Sequence, residues 1–172
     1  MNSIGELWRM KIIFLDIDGV LNSDLWNASH QKEIRDGTLI DEEKVMLLGQ
    51  LIRSTNARVV LHSGWKFWFD CEGAPLRKEA ERLISLFEKN GIKINGATPD
   101  HTTEEVRKSR TFSLVKASEI LAWISQHSNI EKWIVLDDLD LHNEEIRKHQ
   151  ILTDSNVGLT FENICEAESL LS

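Results

Sequence analysis

The sequence predicts a three-layer α/β fold, in which helices cover both faces of a parallel β-sheet. Two observations predict it: short apolar runs rich in β-branched residues recur along the chain, and amphipathic helical stretches separate them. Strands and helices that alternate in this way favour parallel pairing through helical crossovers. The 172 residues are enough for one domain with a sizeable core, which we place at 11–172 behind an N-terminal extension at 1–10.

The first third of the chain contains two predicted strands and one predicted helix. A run of four apolar residues predicts a strand at 11–16, and a polar, Trp-containing loop is expected at 22–38. A helix is predicted over 41–56, with Asp41 as its N-cap. The apolar residues on one face of this helix are Val45, Leu48, Leu51 and Ile52. The stretch "ARVVLHS" at 57–63 predicts the second strand.

The middle of the chain begins with a second predicted helix at 75–90. Pro75 suits a first helical turn, and Gly91 suits a C-terminal stop. The apolar residues expected to face inward are Leu76, Leu83, Ile84 and Phe87. The stretch "IKIN" predicts a short third strand at 92–95, and the polar residues 96–111 are expected to be irregular.

The last third repeats the alternation. A helix is predicted at 113–127 and a strand, "KWIVLDD", at 132–138. A short helix at 142–149, a last strand at 151–154 and a terminal helix at 160–171 complete the chain. The whole pattern is typical of a Rossmann-like sheet with helices on both faces.

Composition and charge exclude several functional classes. Lys and Arg number 20 and Asp and Glu number 28, so the formal net charge of −8 argues against nonspecific binding to nucleic acid or anionic membranes, although a local basic groove remains open. No apolar run is long enough to span a membrane, and the first ten residues do not resemble a signal peptide. Cys71 and Cys165 follow no metal-ligand spacing and are expected to be free thiols, which predicts a cytoplasmic location.

Polar side chains follow three of the predicted strands. Asp16 and Asp18 end the first strand, Ser63 ends the second, and Asp137 and Asp138 end the fourth. In an open parallel sheet, ligands bind at the carboxyl ends of the strands, so these side chains would face one crevice. Carboxylates that converge repel one another, and a hard cation such as Mg²⁺ relieves that repulsion.

A cation that could hold a phosphate completes the predicted set. Lys116 lies near the start of the third long helix, and Lys66 follows Ser63 by three residues. Arg110 or Lys108 could supply the charge in place of Lys116. Together these side chains could supply a metal site, a nucleophile, an acid/base and a phosphate clamp. This combination indicates phosphoryl transfer. The alternative is that the acids are ordinary strand-end carboxylates and Ser63 an ordinary turn hydroxyl.

These motifs resemble those of the haloacid dehalogenase-like (HAD) phosphohydrolases. "FLDIDGVLNS" resembles their first motif, "VVLHS" their second and "IVLDD" their fourth, and Lys116 matches the basic residue of the third. The four motifs occur in order over about 11–140, each at an expected element boundary.

The resemblance implies catalytic roles. Asp16 would be the nucleophile that forms an aspartyl-phosphate, and Asp18 the general acid and base. Ser63, Gly64 and Lys116 would bind the phosphate oxygens.

The resemblance also implies Mg²⁺ as the cofactor. Asp16, the backbone carbonyl of Asp18, and Asp137 would bind it, and Asp138 would be a further ligand or an anchor for the others. Asp138 and Asp140 could instead be helix caps or exposed acids.

Shorter stretches narrow the resemblance to the compact HAD domain of Swiss-army-knife RNA repair proteins. They are "LDIDGVLN", "HSGWK", "ATPD", "KASEILAWI" and "WIVLDD", and the stretch "NVGLT" would form a loop near the site. The partner expected from this is a phosphorylated substrate, with a nucleotide or a nucleic-acid end as the leading candidate, and no membrane. The alternatives are a small-metabolite phosphatase and a non-catalytic module that binds metal or phosphate.

Larger relatives cover the site with a cap domain, which this chain has no room for. The segments Asp18–Ser63 and Ser63–Lys116 are filled by predicted loops, helices and one short strand. We therefore expect a capless or minimally capped site with 22–38 and 96–111 as its rim.

Three of the tryptophans allow two interpretations, whereas two other tryptophans and one histidine allow one. Trp123 and Trp133 fit apolar patterns and are expected in the core. The residues Trp26, Trp65 and Trp68 could stack on a nucleobase or pack as lids on the helix layer. His62 is expected to be partly buried with its hydrogen bonds satisfied.

Overall fold

A computed structural model describes residues 8–172 and shows a five-stranded, entirely parallel sheet flanked by helices. This confirms the predicted α/β class; residues 1–7 of the predicted extension lie outside the described residues. The strands are β1 (Met10–Leu15), β2 (Arg58–Leu61), β3 (Ile94–Ala97), β4 (Ile130–Asp137) and β5 (Gln150–Leu152). Their order across the sheet is β3-β2-β1-β4-β5.

Eight helices and one 3₁₀ turn connect the strands within the described part of the chain. The helices are α1 (Asp24–Ser29), α2 (Gln31–Arg35), α3 (Glu42–Thr55), α4 (Lys78–Lys89), α5 (Glu104–Ser109), α6 (Phe112–Ser125), α7 (Glu144–Arg147) and α8 (Phe161–Leu171). The 3₁₀ turn covers Gly64–Trp68 and follows β2 directly. None of the helices described has the length and apolarity that a membrane span needs.

The central strand is buried on both faces, which explains its uninterrupted apolar sequence. Ile13 and Leu15 of β1 belong to the core cluster that includes buried residues of α3, α4 and α8. Ile12 and Phe14 belong to the opposite cluster, with buried residues of α6 and α7. Alternate side chains of a strand point to opposite faces, so one strand supports two helix layers.

The strand order puts a topological switch point beside β1. The chain runs outward from β1 through β2 to β3, and then crosses to β4 on the other side of β1. Leu15 pairs with Leu61 on one side and Leu136 on the other. The residues that follow these three therefore lie at the same level at the carboxyl end of the sheet, where ligands bind in open α/β sheets.

Two segments expected to be irregular contain short helices. Residues 22–38 form α1 and α2, and 96–111 contain the end of β3 and α5. Ser23 caps α1 by accepting a hydrogen bond from the Trp26 N–H, and Thr103 caps α5 in the same way. Helices of five or six residues show too few turns for periodicity to reveal them, so the cap residues of α1 and α5 were their only sequence signal, and α2 has no side-chain cap.

The start of α4 was predicted too early. Arg77 is its N-cap, and Pro75 lies before the helix in a bridge to Phe69. Leu76, expected to face inward, is 64% exposed. Asp41 and Gly91 behave as predicted: Asp41 caps α3, and Gly91 follows α4 with a positive φ.

Candidate active site

The first acidic residue of the site is buried where β1 ends. Asp16 is 6% exposed, and its N–H donates to the Leu136 carbonyl at 2.9 Å, which continues the β1–β4 ladder. The chain then turns at Gly19, whose φ of +77° favours glycine. Asp18 is exposed on this turn. The two acids therefore lie in different surroundings, one inside the crevice and one at its mouth.

Two donors hold the Asp18 carboxylate in place. Trp65 Nε1 donates to Oδ2 at 3.1 Å, and Asn22 Nδ2 donates to Oδ1 at 2.9 Å. Asn22 Oδ1 in turn accepts from the Gly19 N–H at 2.9 Å, which ties the side chain to the turn itself. Sequence reasoning missed both partners. Asn22 lies inside the quoted motif, but nothing in its spacing pointed to this contact.

Three carboxylates meet at the tips of β1 and β4. Oxygen atoms of Asp16, Asp137 and Asp138 all lie within 4.8 Å of one another. Asp137 is fully buried and Asp138 is half-buried. A Cβ at Gly19 would overlap the carboxyl group of Asp138, so the glycine makes the space that this side chain occupies. This donor set is the kind that Mg²⁺ prefers, and the residues fit a divalent cation.

The side chain of Asp18 is not among these carboxylates. Its two oxygens accept the hydrogen bonds described above, so any part it takes in metal binding falls to its backbone carbonyl, as the resemblance implies.

Lys116 reaches the carboxylates from α6. Its Nζ lies 2.8 Å from Asp16 Oδ2 and 2.8 Å from Asp137 Oδ2. The alternatives Lys108 and Arg110 are exposed at the end of α5 and the turn that follows it. Of the three cations considered, the structure brings Lys116 to the acids.

The charges of the cluster shift its pKa values in opposite directions. Burial would raise the pKa of Asp16, but the Lys116 ammonium, together with hydrogen bonds from Lys116 and the Ile17 backbone, holds that pKa below its ordinary value. Burial and the neighbouring Asp16 charge raise the pKa of Asp137 to about 8. Burial and the same charge also raise the pKa of Asp138. A crowded site that holds a proton at neutral pH is one that a divalent cation stabilises.

His62 differs from its expected state. It is 1% exposed, and neither ring nitrogen has a hydrogen-bond partner among the described residues. Nε2 lies 3.3 Å from Asp137 Oδ2, close enough for an ion pair but not aligned as a hydrogen bond. Burial, with a further contribution from Lys116, lowers the pKa of His62 to about 3, so the ring is neutral. The expectation of a partly buried, satisfied histidine was wrong because β2 ends beneath the carboxylates.

Ser63 and Gly64 follow β2 at the side of the crevice. Ser63 is buried, and its Oγ accepts from the Trp65 N–H at 3.2 Å, which leaves its own O–H available to donate. Gly64 is exposed and begins the 3₁₀ turn. Both line a cavity of about 360 Å³ that also contains Lys116.

Lys66 has a structural partner. Its Nζ lies 2.8 Å from Glu119 Oε2 and also donates to Thr98 Oγ1 and the Pro99 carbonyl. Glu119 is buried on α6, one turn after Lys116, and its Oε1 accepts from the His101 N–H. The pair joins the 3₁₀ turn and the loop after β3 to α6.

The loop after β5 supports the first turn. Thr153 Oγ1 donates to the Gly19 carbonyl at 2.8 Å, and the Leu159 N–H donates to the Val20 carbonyl at 2.8 Å. The stretch "NVGLT" therefore packs on the segment after β1, near the site, as the resemblance implied.

The tryptophans are used for packing. Trp65 is 3% exposed. The Arg77 guanidinium carbon lies 4.2 Å from the centroid of the Trp68 ring, and Trp26 stacks on His30. Trp123 packs in the core against Phe14, as predicted, and Trp133 packs at its edge.

Asp140 does not belong to the carboxylate cluster. Its side-chain Oδ1 accepts a hydrogen bond from the His142 N–H, so this acid stabilises a local turn.

A parallel sheet in this order, with acids at the tips of β1 and β4 and a lysine between them, defines a haloacid dehalogenase-like domain. Residues 12–164 match the family described as the HAD domain in Swiss Army Knife RNA repair proteins, and the chain belongs to this family. No curated protein and no solved structure matches the chain significantly. Membership confirms the resemblance and points to a phosphatase-type hydrolase.

Proposed function

We propose that the protein is a Mg²⁺-dependent phosphomonoester hydrolase that acts on the phosphate ends of nucleotides or nucleic acids. The observation that carries this proposal is the contrast between two nearby acids: Asp16 is buried against Lys116 and the other carboxylates, and Asp18 is exposed at the mouth. A module that only binds metal has no need of the second acid. The nucleic-acid part of the proposal is supported by the description of the family.

The reaction runs in two steps. An Asp16 oxygen attacks phosphorus, the bond between phosphorus and the leaving oxygen breaks, and Asp18 gives its proton to that oxygen. Asp18 then takes a proton from water, whose oxygen attacks the aspartyl-phosphate and releases inorganic phosphate and Asp16.

The remaining residues bind and orient the phosphoryl group. Lys116 would turn from its two carboxylates to the phosphate oxygens, and the Ser63 O–H and the backbone at Gly64 would donate to them. Trp65 and Asn22 fix the direction of the Asp18 carboxylate. A Mg²⁺ ion held by Asp16, Asp137 and Asp138 would neutralise charge on the phosphate.

Hydrolysis of an aryl phosphate, measured with and without Mg²⁺, tests the reaction. The wild-type protein should turn over with Mg²⁺ and lose activity in chelator, and Asp16→Asn should be inactive. Asp36→Asn is a matched control, because Asp36 is an exposed acid after α2. Full activity of Asp16→Asn would remove the nucleophile from the proposal.

A substrate panel tests the choice of substrate. It compares nucleotides, oligonucleotides phosphorylated at the 3′ or 5′ end, and sugar phosphates. Preference for the first two supports the proposal, whereas preference for a free sugar phosphate would favour a small-metabolite phosphatase.

A further inference from the structure

A cleft leads from the phosphate-binding groups to the surface. Ser63, Gly64 and Lys116 form one part of the cavity of about 360 Å³, and Phe67, Phe112 and Arg107 are among its other lining residues. If a phosphate binds at Ser63 and Lys116, the group attached to it has this cleft beside it. The lining residues therefore bear on which leaving groups the site accepts.

Two exposed aromatic rings line the cleft. Phe67 belongs to the 3₁₀ turn after β2 and is 55% exposed, and Phe112 is the first residue of α6 and is 43% exposed. Val115 lies one turn after Phe112 and also lines the cleft. Leaving this much aromatic surface in water forgoes the free energy of burying it. The nearby Trp65 and Trp68 are packed instead, so Phe67 and Phe112 are the aromatic side chains this cleft presents.

Phe67 stands on a rigid support. Lys66 Nζ lies 5.4 Å from the centroid of the Phe67 ring, and the same Nζ is held by Glu119 and the Pro99 carbonyl. The ring thus projects from a 3₁₀ turn that is fixed to α6. A fixed aromatic surface loses little conformational entropy when a ligand stacks on it.

We infer that Phe67 and Phe112 form a nucleobase subsite, which stacks the base of a nucleotide whose terminal phosphate lies at Ser63 and Lys116. This inference rests on the proposed function and names the part of the substrate that the site selects. Arg107 is exposed and lines the same cleft, so we assign to it the contact with a further phosphate of a nucleic-acid chain.

The chemistry of the walls favours a base over a sugar. The hydroxyl groups of a bare sugar phosphate would lose water against Phe67, Phe112 and Val115 without gaining hydrogen bonds. A base has an apolar face for stacking and keeps its polar edges toward solvent. Arg107 adds a cation that suits a chain with repeated phosphates.

The subsite is tested with three substrates and two variants. Adenosine 3′- and 5′-monophosphate are compared with ribose 5-phosphate for wild type, Phe67→Leu and Phe112→Leu. Leucine keeps an apolar side chain and removes the π face. Each variant should lower kcat/KM for the nucleotide that the wild type prefers by roughly tenfold, which is the usual effect of losing one stacking partner. The kcat/KM for ribose 5-phosphate should stay within about twofold of the wild-type value. Phe161→Leu is the control, since Phe161 is 63% exposed on α8 and does not line this cleft.

The outcomes separate the subsite from the reaction. Equal losses on nucleotide and ribose 5-phosphate, or no loss on either, would overturn the subsite and leave the phosphatase intact. Preference of the wild type for a phosphotyrosine peptide over the nucleotides would also overturn it. A wild-type protein inactive on every substrate, aryl phosphate included, would refute the proposed function itself.

Binding without turnover gives a second measurement. Calorimetric titration of adenosine monophosphate into Asp16→Asn should show weaker binding when Phe67→Leu or Phe112→Leu is added. Unchanged binding in both would contradict the subsite even if the enzyme is active.

The place of Arg107 is tested with longer substrates. Arg107→Ala should lower kcat/KM for a phosphorylated dinucleotide and weaken its salt dependence, with little effect on the mononucleotide. Lys108→Ala is the neighbouring control, because Lys108 is exposed and does not line the cleft. Equal effects of the two variants would remove Arg107 from the subsite.

Discussion

Asp16 and Asp18 are separated by one residue, yet Asp16 follows β1 inside the crevice and Asp18 begins the turn that comes next, so their surroundings differ. Lys116 keeps Asp16 charged inside the crevice in spite of burial, which suits a nucleophile. Asp18 is exposed and held by Trp65 and Asn22, which suits a group that exchanges protons with solvent and substrate. The positive φ at Gly19 allows the turn that carries Asp18 at the mouth of the crevice.

The indole N–H of Trp65 positions the Asp18 carboxylate. Trp65→Phe keeps an aromatic ring in the core and removes the hydrogen bond to Oδ2. We expect kcat to fall roughly tenfold, part of what general acid–base catalysis contributes, with KM little changed. Steady-state kinetics with an aryl phosphate measures this. Trp68→Phe is the control, and an equal fall in kcat there would show that the effect comes from packing alone.

Gly19 provides space for Asp138. Gly19→Ala would strain a backbone with φ of +77° and push its Cβ into the Asp138 carboxyl group. We expect a loss of stability of about 1–3 kcal/mol and a higher Mg²⁺ concentration for half-maximal activity. Gly73→Ala shares the strained φ, +84°, with no atom within 4 Å, and should leave the Mg²⁺ requirement unchanged. Identical Mg²⁺ curves for the two variants would contradict the role of Gly19.

At the scale of elements, α6 carries both the cation of the site and its support. Lys116 faces the carboxylates, and Glu119, one turn later, binds Lys66 of the 3₁₀ turn. Both side chains of the second pair are almost fully buried, at 8% and 4% exposure. Removing one partner of such a pair leaves a buried charge without compensation.

The Lys66–Glu119 pair is therefore important for stability. Glu119→Leu should lower the free energy of unfolding by about 3–5 kcal/mol, and adding Lys66→Met should restore most of the loss. Urea denaturation measures both. Glu79→Gln is the contrasting control, because its pair with Arg77 is on the surface and should matter little. If the double variant is no more stable than Glu119→Leu, the ion pair is not the cause of the loss.

The sequence predicted the long elements and the strand-end acids, and it missed what depends on side-chain direction. The apolar runs of β1 and β4 and the motif order were enough to bring Asp16, Asp137 and Lys116 to one crevice. The short helices α1, α2 and α5 were missed because so few turns give no periodicity. The hydrogen bond from Trp65 to Asp18 was not predicted, because periodicity does not reveal where a side chain on a 3₁₀ turn points. Glu119 was missed because a single acid in an apolar helix gives no sign of its partner.

At the scale of the whole molecule, the carboxylate cluster links the protonation of Asp137 to stability. The folded pKa of Asp137, about 8, lies above its unfolded value, so the folded state holds a proton that the unfolded state has lost near neutral pH. The contribution of Asp137 to the stability of the metal-free protein is complete at low pH and is lost as pH rises toward 8. The folded pKa of His62 is lowered to about 3. Below about pH 6.5 the unfolded form takes up a proton that the folded form does not, so the His62 effect lowers stability as pH falls.

The window from about pH 6.5 to 8 tests the Asp137 effect, because it lies above the pH range in which His62 contributes. In chelator, the free energy of unfolding should fall through this window by up to about 1.4 kcal/mol per pH unit. Saturating Mg²⁺ should remove or reverse the slope, because the ion replaces the proton. Asp137→Asn should flatten it in chelator as well. Denaturation midpoints at several pH values measure the slope, and a wild-type stability that rises through the window would contradict the assignment.

The most direct test of the central claim is to trap the phosphoryl group on the enzyme. Borohydride quenching during turnover reduces an aspartyl-phosphate to homoserine, which peptide mass spectrometry can locate. We predict modification at Asp16 in the wild-type protein and none in Asp16→Asn. Modification at another residue, or active turnover with Asp16 unmodified, would contradict the account.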